Sequence, residues 1–370
     1  NLMIKTKKNL IIFIPFIGGG GVEKNLFLIS NFLSKKVEKV KVCTISKKYK
    51  KKFNNKIKFI HPNKKYSEYL NIRIKYLLCL YELFKYLKSN KDSVVLSFQA
   101  NIYCIIVCKL LNIKVIVRSN SSPIGWYHNS FKKFIYQKII RFADKVIVNS
   151  LDFKKQMENR FNIKVENIFN PLNVDEIKKK SKVKINYGFF NKGFKIINIG
   201  RLTDQKDQIT LLRSVNLLKY KVKIKLLIIG SGVEQKNLKN YIKNNNLSSY
   251  VRIKKFLDNP YPYILKSDLF ILSSKYEGLP NVLLEAAVLK KFIISTNCPT
   301  GPKEILLNGR GGYLFNNGDY KKLSKLILLF LKKRNQLKNK INFTYKNLER
   351  YNLKKNLMKY YFLLIPFLRS

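Results

Sequence analysis

Two glutamates with seven residues between them lie where a strand, a turn and a helix are predicted in succession. Glu277 falls in the turn and Glu285 on the helix, within the segment EGLPNVLLEA. The apolar run 269–272 predicts a buried strand, and Leu-Pro-Asn at 279–281 predicts the start of the helix. A helix N-terminus presents backbone N–H groups at the positive end of its dipole, which favours a phosphate ligand. Glu277 is thus predicted to stand beside whatever that phosphate carries.

A second group of charged residues follows another predicted strand. Arg201 and Lys206 lie five positions apart in GRLTDQK, a turn that leads into a helix. Both side chains can reach one diphosphate, Arg201 through its planar fork and Lys206 as a point charge. A departing diphosphate needs such fixed cations. Chance placement is the competing interpretation, since the chain has 74 basic residues, but the position at a strand end favours a functional role.

A glycine-rich loop follows the first predicted strand, residues 9–14. It holds four consecutive glycines at 18–21. Glycine lets a backbone approach a ligand closely, so the loop is typical of a phosphate or sugar cradle. The spacing is not that of a dinucleotide-binding fingerprint.

The whole chain alternates short β-branched runs with helical patterns of 10–20 residues, which predicts an α/β fold with parallel sheets covered by helices. The pattern restarts near residue 173. We therefore expect two doubly wound, Rossmann-like domains, residues 1–172 and 173–352. Polar residues at predicted strand ends in the first domain are further site candidates: Gln99, Asn101, Arg118, Ser119 and Asn120.

The paired glutamates and the GRLTDQK loop resemble the retaining glycosyltransferases of family 4, which have the GT-B fold. The resemblance implies two domains facing across a cleft, with an acceptor-binding N-terminal domain and a nucleotide-sugar-binding C-terminal domain. It also implies that the last segment, residues 353–370, packs back on the first domain. Its motifs cover the second domain, and the glycine loop is the match in the first. At the end of the strand before residue 120 the family commonly has a histidine near the transferred sugar, whereas this sequence has Arg118-Ser119-Asn120.

The resemblance implies a role for each matched residue. Glu277 hydrogen-bonds the donor sugar, the backbone of residues 278–281 meets the phosphate, and Glu285 binds the ribose hydroxyls. The residues assigned to the donor are Gly19, Gly20, Gly21, Arg201, Lys206, Glu277, Gly278, Leu279, Pro280, Asn281 and Glu285. Those assigned to catalysis are Glu277, Arg201, Lys206 and Asn120. Glu304 is open between a helix-capping role and a ligand role.

The implied activity is transfer of a hexose or N-acetylhexosamine from a nucleotide-diphosphate sugar, with UDP as the expected nucleotide. The implied acceptor is a glycan, expected to be lipid-linked, in bacterial surface polysaccharide, lipopolysaccharide or oligosaccharide biosynthesis. No metal or other cofactor is expected: no Asp-x-Asp lies in a loop, and His61 and His128 are isolated. The family is likewise metal-independent, with protein cations in place of the ion.

The formal charge of +53 by itself favours nucleic acid or an anionic membrane as partner. The abundance of Lys, Asn, Ile, Tyr and Phe with little Arg is equally the composition of an AT-rich genome. Because the basic residues are scattered, no nucleic-acid partner is expected. The alternatives kept are a nucleic-acid-binding protein and a catalytically inactive nucleotide-sugar-binding protein on the same scaffold.

The five cysteines form no CxxC pair and predict buried thiols in a reducing compartment. Neither a signal peptide nor an apolar run of about 20 residues is recognised. We therefore expect a cytoplasmic protein, peripheral at the inner face of the membrane. Residues 131–142 predict a basic amphipathic helix, for which packing on the sheet is the first interpretation and membrane contact the alternative.

Overall fold

The computed structural model describes residues 6–62, 71–120 and 130–369, with side chains omitted for 130–133. The chain folds into two compact units. The first extends to Pro171 and includes the segment from Leu353 onward, and the second is Leu172–Asn352. The first junction lies one residue before the predicted boundary.

The first unit contains a parallel sheet with the strand order β3-β2-β1-β4-β5-β6-β7. Its strands are β1 Asn9–Phe13, β2 Val40–Cys43, β3 Lys58–Ile60, β4 Ser93–Ser97, β5 Lys114–Ser119, β6 Lys145–Val148 and β7 Glu166–Asn167. Its helices are α1 Gly21–Leu33, α2 Ile72–Ser89, α3 Asn101–Leu110, α4 Ser130–Ile140, α5 Leu151–Phe161 and α14 Leu353–Arg369.

Apolar residues cover both faces of this sheet, because buried parallel strands expose side chains to helices on each side. One core joins the sheet to α1 and α14 and includes Leu26, Tyr360 and Leu364. The other joins it to α2, α3, α4 and α5 and includes Cys104 and Cys108. All five cysteines are buried and free, as predicted.

The second unit has the parallel strand order β10-β9-β8-β11-β12-β13, the doubly wound arrangement. Its strands are β8 Phe194–Ile199, β9 Ile224–Ile229, β10 Val251–Lys254, β11 Leu269–Leu272, β12 Phe292–Thr296 and β13 Tyr313–Phe315. Its helices are α6 Val174–Ser181, α7 Gln208–Leu218, α8 Gln235–Asn244, α9 Tyr261–Lys266, α10 Asn281–Val288, α11 Pro302–Ile305, α12 Tyr320–Lys333 and α13 Lys338–Lys346. The predicted fold class of two Rossmann-like α/β units is confirmed.

The sequence predicts an exposed charged segment over residues 178–195 and a helix over residues 342–364, and both predictions are wrong. Residues 178–195 are not simply an exposed stretch, since α6 extends to Ser181 and a short 3-10 helix buries Phe190. Residues 342–364 are not one helix. Between α13 and α14 the chain passes through a 3-10 helix, Asn347–Tyr351, and a non-helical residue, Asn352, and the N–H of Leu172 donates to the carbonyl of Tyr351 at 2.9 Å. This pairing joins the two segments that connect the units, and a continuous helix could not form it.

The helices of the described residues are too short or too polar to cross a bilayer.

Candidate functional site

The candidate site of the second unit lies at the carboxyl ends of β8 and β11, two neighbouring strands at the centre of its sheet. The chain runs outward from β8 to β9 and β10 on one side, and returns to β11 on the other. In open α/β sheets, this switch point leaves a crevice in which ligands bind. The loop 200–207 follows β8 and the loop 273–280 follows β11, so the two predicted charged groups lie at the same place in the fold.

Lys206 and Glu277 form an ion pair between these two loops. The carboxylate side chain is 8% exposed and the lysine side chain 15% exposed. The stem of Lys206 lies over Gly200, where an added Cβ would meet the lysine Cδ at 3.5 Å. Because both charges are largely shielded from water, their attraction is stronger than that of a surface pair. The structure therefore brings together two of the predicted site residues that lie 71 positions apart in sequence.

Hydrogen bonds to backbone carbonyls hold the two loops together. The N–H of Lys275 donates to the carbonyl of Gln205 at 2.8 Å, and Gln205 Nε2 donates to the carbonyl of Tyr276 at 2.9 Å. Ser273 Oγ donates to the carbonyl of Lys206 at 2.9 Å. The ion pair is thus carried by a fixed backbone on both sides.

Two glycines permit neighbouring loops to approach the site. A Cβ on Gly230, after β9, would overlap the carbonyl oxygen of Gly200. A Cβ on Gly301, after β12, would overlap the carbonyl oxygen of Gly278, and Gly301 has a φ of +87°. Thr300 Oγ1 also donates to the carbonyl of Glu277. The loops after four strands therefore pack against one another around residues 200–207 and 273–280.

Arg201 and Glu285 lie in different environments. Arg201 is exposed, and its carbonyl accepts a hydrogen bond from Gln208 Nε2 at 3.0 Å. Glu285 is only 2% exposed, and Tyr261 Oη lies 3.4 Å from its Oε1. The burial of Glu285 agrees with its apolar flanks and excludes a solvated helix-surface carboxylate. Tyr261 was not anticipated, because it is separated from Glu285 by 24 positions.

The helix that follows Glu277 begins at Asn281, with Pro280 at the N-cap and no capping side chain. Leu279 and Pro280 lie in the turn before it, so the helix begins two residues later than the sequence predicted. The helix α11 has four residues and is too short to supply a comparable N-terminus. Glu304 belongs to α11, and its carbonyl accepts from Arg350 Nη2 at 2.6 Å.

Cys298 is buried close to this site. Burial, together with the charge of Glu277, raises the pKa of its thiol to about 12. The thiol is therefore protonated at neutral pH and is not a thiolate nucleophile. Among residues 6–62, 71–120 and 130–369, no three His, Cys, Asp or Glu side chains are placed to hold a metal ion.

In the first unit, the glycine loop ends where α1 begins, at Gly21. Gly19 has a φ of +85°, which favours glycine there. The N–H of Gly18 donates to Glu23 Oε1 at 3.0 Å, and Glu23 is 7% exposed. Glu23 thus holds the loop from the first turn of α1, a role that its position three residues after Gly20 could have indicated.

The strand-end candidates of the first unit form a hydrogen-bonded row. Asn120 Nδ2 donates to the carbonyl of Phe98 at 2.6 Å. Ser97 Oγ donates to Asn101 Oδ1 at 2.8 Å, and Asn101 Nδ2 donates to the carbonyl of Arg118 at 3.1 Å. Asn120 is half-buried at the end of this row.

Arg118 is not available for a ligand. It is fully buried, and its guanidinium donates to Tyr360 Oη at 2.8 Å and to Asn170 Oδ1 at 2.6 Å. The prediction that Arg118 binds a ligand at the end of its strand is therefore wrong. Its side chain points into the core and joins β5 to α14. The sequence gives no sign of this partnership, which spans 242 positions.

The fold and the switch-point site define the class of the protein. Over 96% of its length, the chain superimposes on Anabaena HepE in complex with UDP and glucose, with a TM-score of 0.80, 14% identity and 99% of that chain covered. It also matches *Staphylococcus aureus* TarM in a UDP complex, with a TM-score of 0.75, 14% identity and 98% and 100% coverage. The chain has the GT-B fold of these proteins.

Residues 179–347, which lie within the second unit, match the model of the family described as glycosyl transferases group 1. An uncharacterized glycosyltransferase of *Methanocaldococcus jannaschii* is 34% identical over 247 residues, 61% of each chain. A *Campylobacter jejuni* relative is 27% identical over 67% of this chain and 69% of its own. It is named N-acetylgalactosamine-N,N'-diacetylbacillosaminyl-diphospho-undecaprenol 4-alpha-N-acetylgalactosaminyltransferase.

Proposed function

We propose that the protein is a retaining glycosyltransferase that moves a hexose or N-acetylhexosamine from a UDP-sugar to a lipid-linked glycan. The observation that carries this proposal is the Lys206–Glu277 pair at the switch point, beside the exposed Arg201. It combines cations for a diphosphate with a carboxylate for a sugar. The group 1 domain match over residues 179–347 supports the same reaction class.

In the proposed reaction, the bond between the anomeric carbon and the β-phosphate oxygen breaks, and UDP leaves with the electron pair. The acceptor hydroxyl oxygen bonds to the same carbon, on the face that UDP leaves, and its proton passes to the departing phosphate oxygen. Arg201 and Lys206 stabilise the charge that develops on the diphosphate. The proposal uses these cations in place of a metal ion and names no side chain as nucleophile.

Glu277 has two roles in this proposal. Before the donor binds, its ion pair holds Lys206 over Gly200, so that little reorganisation is needed when the diphosphate arrives. With the donor bound, it accepts hydrogen bonds from the sugar. Glu285 is assigned to the ribose hydroxyls and residues 278–281 to the phosphate. Asn120 is assigned to the transferred sugar, and residues 19–21 are assigned to the donor diphosphate and the acceptor.

The acceptor class rests on the relatives. The *Campylobacter jejuni* relative carries a diphospho-undecaprenol acceptor in its name. A second relative, from *Erwinia amylovora*, is named an amylovoran biosynthesis glycosyltransferase and is 28% identical over 62% of this chain and 66% of its own. The first name supports a polyprenyl-diphosphate-linked glycan as the acceptor, and the second supports a role in amylovoran-type biosynthesis of a larger glycan.

The test is UDP release from a panel of UDP-hexoses and UDP-N-acetylhexosamines, with polyprenyl-diphosphate-linked sugars as acceptors. We expect acceptor-dependent UDP release, and an anomeric proton coupling in the product that matches the donor. Glu277→Gln should lower kcat/KM by about 10²–10³, whereas Glu349→Gln, at an exposed position of the same unit, should not. UDP binding without turnover on any donor would favour the inactive binding protein, and inversion at the anomeric carbon would contradict retention.

A further inference from the structure

Three neighbouring helices of the first unit leave apolar side chains in solvent. The exposed large apolar residues lie on α2, α3 and α4, and on the turn after α4. Apart from Ile72 at the first position of α2, they are Ile74, Leu77, Tyr81, Tyr103, Ile106, Leu110, Phe134, Ile135 and Phe142. Leu77 is 65% exposed and Leu110 is 73% exposed. We call this set the apolar face.

The spacing shows that each helix contributes one stripe. The exposed residues recur at three- and four-residue steps on α2 and at 103, 106 and 110 on α3, which places them on one side of a helix. The opposite sides of α2, α3 and α4 pack into the same core of the sheet. Since α2 lies against α3 and α3 against α4, the three stripes are adjacent and face away from the sheet.

The apolar face carries basic side chains and little acid. Arg73, Lys85 and Lys88 are exposed on α2, and Lys138 is exposed on α4 with its Nζ 5.3 Å from the centre of the Phe134 ring. The sequences of α3 and α4 contain no Asp or Glu, and α2 contains only the half-buried Glu82. A surface on which basic residues surround apolar ones is typical of proteins that insert into the headgroup region of an anionic bilayer.

We propose that the apolar face docks the first unit on an anionic lipid bilayer, with α2, α3 and α4 parallel to its surface. This inference builds on the proposed lipid-linked acceptor, because docking would bring the enzyme to the membrane where such an acceptor resides. Apolar residues enter the headgroup boundary, and the lysines meet lipid phosphates. The protein attaches from one side and needs no spanning helix.

Charge and side-chain type select the bilayer over other partners. A second copy of the chain would set one basic face against another, which is repulsive. A nucleic acid would stack its bases on aromatic side chains. The apolar face does carry Tyr81, Tyr103, Phe134 and Phe142, but its two most exposed residues, Leu110 and Leu77, are aliphatic and offer no ring for stacking. An anionic bilayer complements both the positive charge and the aliphatic residues.

The experiment measures binding of the full chain to vesicles of phosphatidylglycerol and phosphatidylcholine, and to vesicles of phosphatidylcholine alone. The apolar variant is Leu77→Ser/Leu110→Ser. Its matched control is Tyr220→Ser/Val233→Ser, two apolar residues of the second unit that are 85% and 83% exposed. We expect binding to the anionic vesicles to fall at least tenfold in the apolar variant and less than twofold in the control.

A second pair of variants separates the face from the overall charge of +53. Lys85→Glu/Lys138→Glu changes the face, and Lys236→Glu/Lys239→Glu makes the same change of charge on the exposed side of α8. One basic residue near an anionic membrane contributes about fivefold to binding. The first pair should therefore weaken binding at least tenfold and the second less than threefold.

Equal losses in both charge pairs, or an unchanged apolar variant, would overturn the docking proposal. So would a concentration-dependent dimer that the apolar variant abolishes in the absence of vesicles. Stabilisation by UDP is measured on each variant, because it reports the second unit alone. If the wild type does not bind the vesicles but is stabilised by UDP, the docking proposal is contradicted and the proposed reaction is not.

Discussion

At the scale of single residues, the central feature is a cation and a carboxylate that hold each other in place. Lys206 and Glu277 are each on a short loop, and each loop is fixed by hydrogen bonds to the other. An ion pair that is largely buried keeps its geometry, whereas a solvated lysine samples many rotamers. A bound diphosphate would share the ammonium group with Glu277 and so meet a charge already in position.

We expect Lys206→Met to lower kcat/KM for the UDP-sugar by about 10²–10³, or about 2.7–4 kcal/mol, because one preorganised cation is lost. The matched control is Lys236→Met, on the exposed side of α8. Steady-state UDP release measures both. A loss below about threefold in Lys206→Met would show that the ammonium group has no part in the reaction.

The residues of this pair could be predicted from type and position, since each follows a strand that periodicity identifies. Their contacts could not. Tyr261 meets Glu285, and Thr300 meets the carbonyl of Glu277, through segments that are separate in sequence. Arg118 shows the converse error: its position at a strand end was right, but its burial depends on Tyr360 in the last helix.

At the scale of elements, the site depends on loops that approach more closely than side chains allow. Gly301 provides the contact between the loop after β12 and the turn at Gly278. Its φ of +87° is also unfavourable for other residues. Substitution there should therefore combine backbone strain with steric overlap.

We expect Gly301→Ala to lower the free energy of unfolding by at least about 3 kcal/mol, since neither the strain nor the overlap can relax cheaply. Gly318→Ala is the matched control, with a φ of +76° and no atom within 4 Å of the added Cβ. Strain alone should cost it about 1–2 kcal/mol. Urea unfolding measures both variants, and equal losses would contradict the close packing of these loops.

Asp268 lies immediately before β11 in the second unit and connects the beginning of this strand to the beginning of β8. Its carboxylate accepts from the N–H of Lys195 at 2.9 Å and from Arg334 Nη2 at 2.6 Å. Burial acts to raise the pKa of Asp268, but the hydrogen bond from Lys195 and the charges of Arg334 and Lys195 outweigh it and lower the pKa. A carboxyl whose folded pKa is lowered stabilises the fold above its unfolded value, and this contribution is lost as the pH falls through the folded pKa.

Asp268→Asn should therefore destabilise the second unit at neutral pH, and the difference from wild type should shrink below about pH 4, near the unfolded pKa of Asp. Urea midpoints between pH 7 and pH 3 measure this difference. A difference that stays constant across this range would show that the charge of Asp268 does not contribute.

Elements were predictable where the period was clear. The strand β11 has the bounds that its apolar run 269–272 predicts, because polar residues border it on both sides. The errors fell where the chain passes between units. There, pairing of Leu172 with Tyr351 and burial of Phe190 override a local pattern of charges or helical periodicity.

At the scale of the whole molecule, the last helix belongs to the first unit. Leu357, Tyr360 and Leu364 of α14 are buried in the same core as α1. The Tyr360 hydroxyl accepts from Arg118 Nε at 2.8 Å. The repeated alternation of strands and helices predicted the two domains. The apolar outer face of α2, α3 and α4 could not be predicted, because it depends on which helices lie next to one another.

Tyr360→Phe should lower the stability of the first unit by about 1–3 kcal/mol, because it removes an acceptor from a buried guanidinium. Hydrogen exchange should accelerate in β5 and α14, while UDP should stabilise the second unit as in wild type. Tyr361→Phe, on the same helix, is the control. Unchanged exchange in β5 would contradict the role of this hydrogen bond.

Nucleotide binding at the candidate site is tested most directly by thermal stabilisation. The ligands are UDP, GDP, ADP and a single-stranded oligonucleotide, and the proteins are wild type, Arg201→Ala and Arg310→Ala. Arg310 is exposed and lies shortly before β13, at the amino ends of the parallel strands, whereas the candidate site lies at their carboxyl ends. We expect UDP at a hundred times its Kd to add about 2.7 kcal/mol to the stability of wild type and Arg310→Ala. Arg201→Ala should lose most of this effect at the same UDP concentration. Stabilisation by the oligonucleotide alone, unaffected by Arg201→Ala, would contradict the assignment of a nucleotide-sugar site.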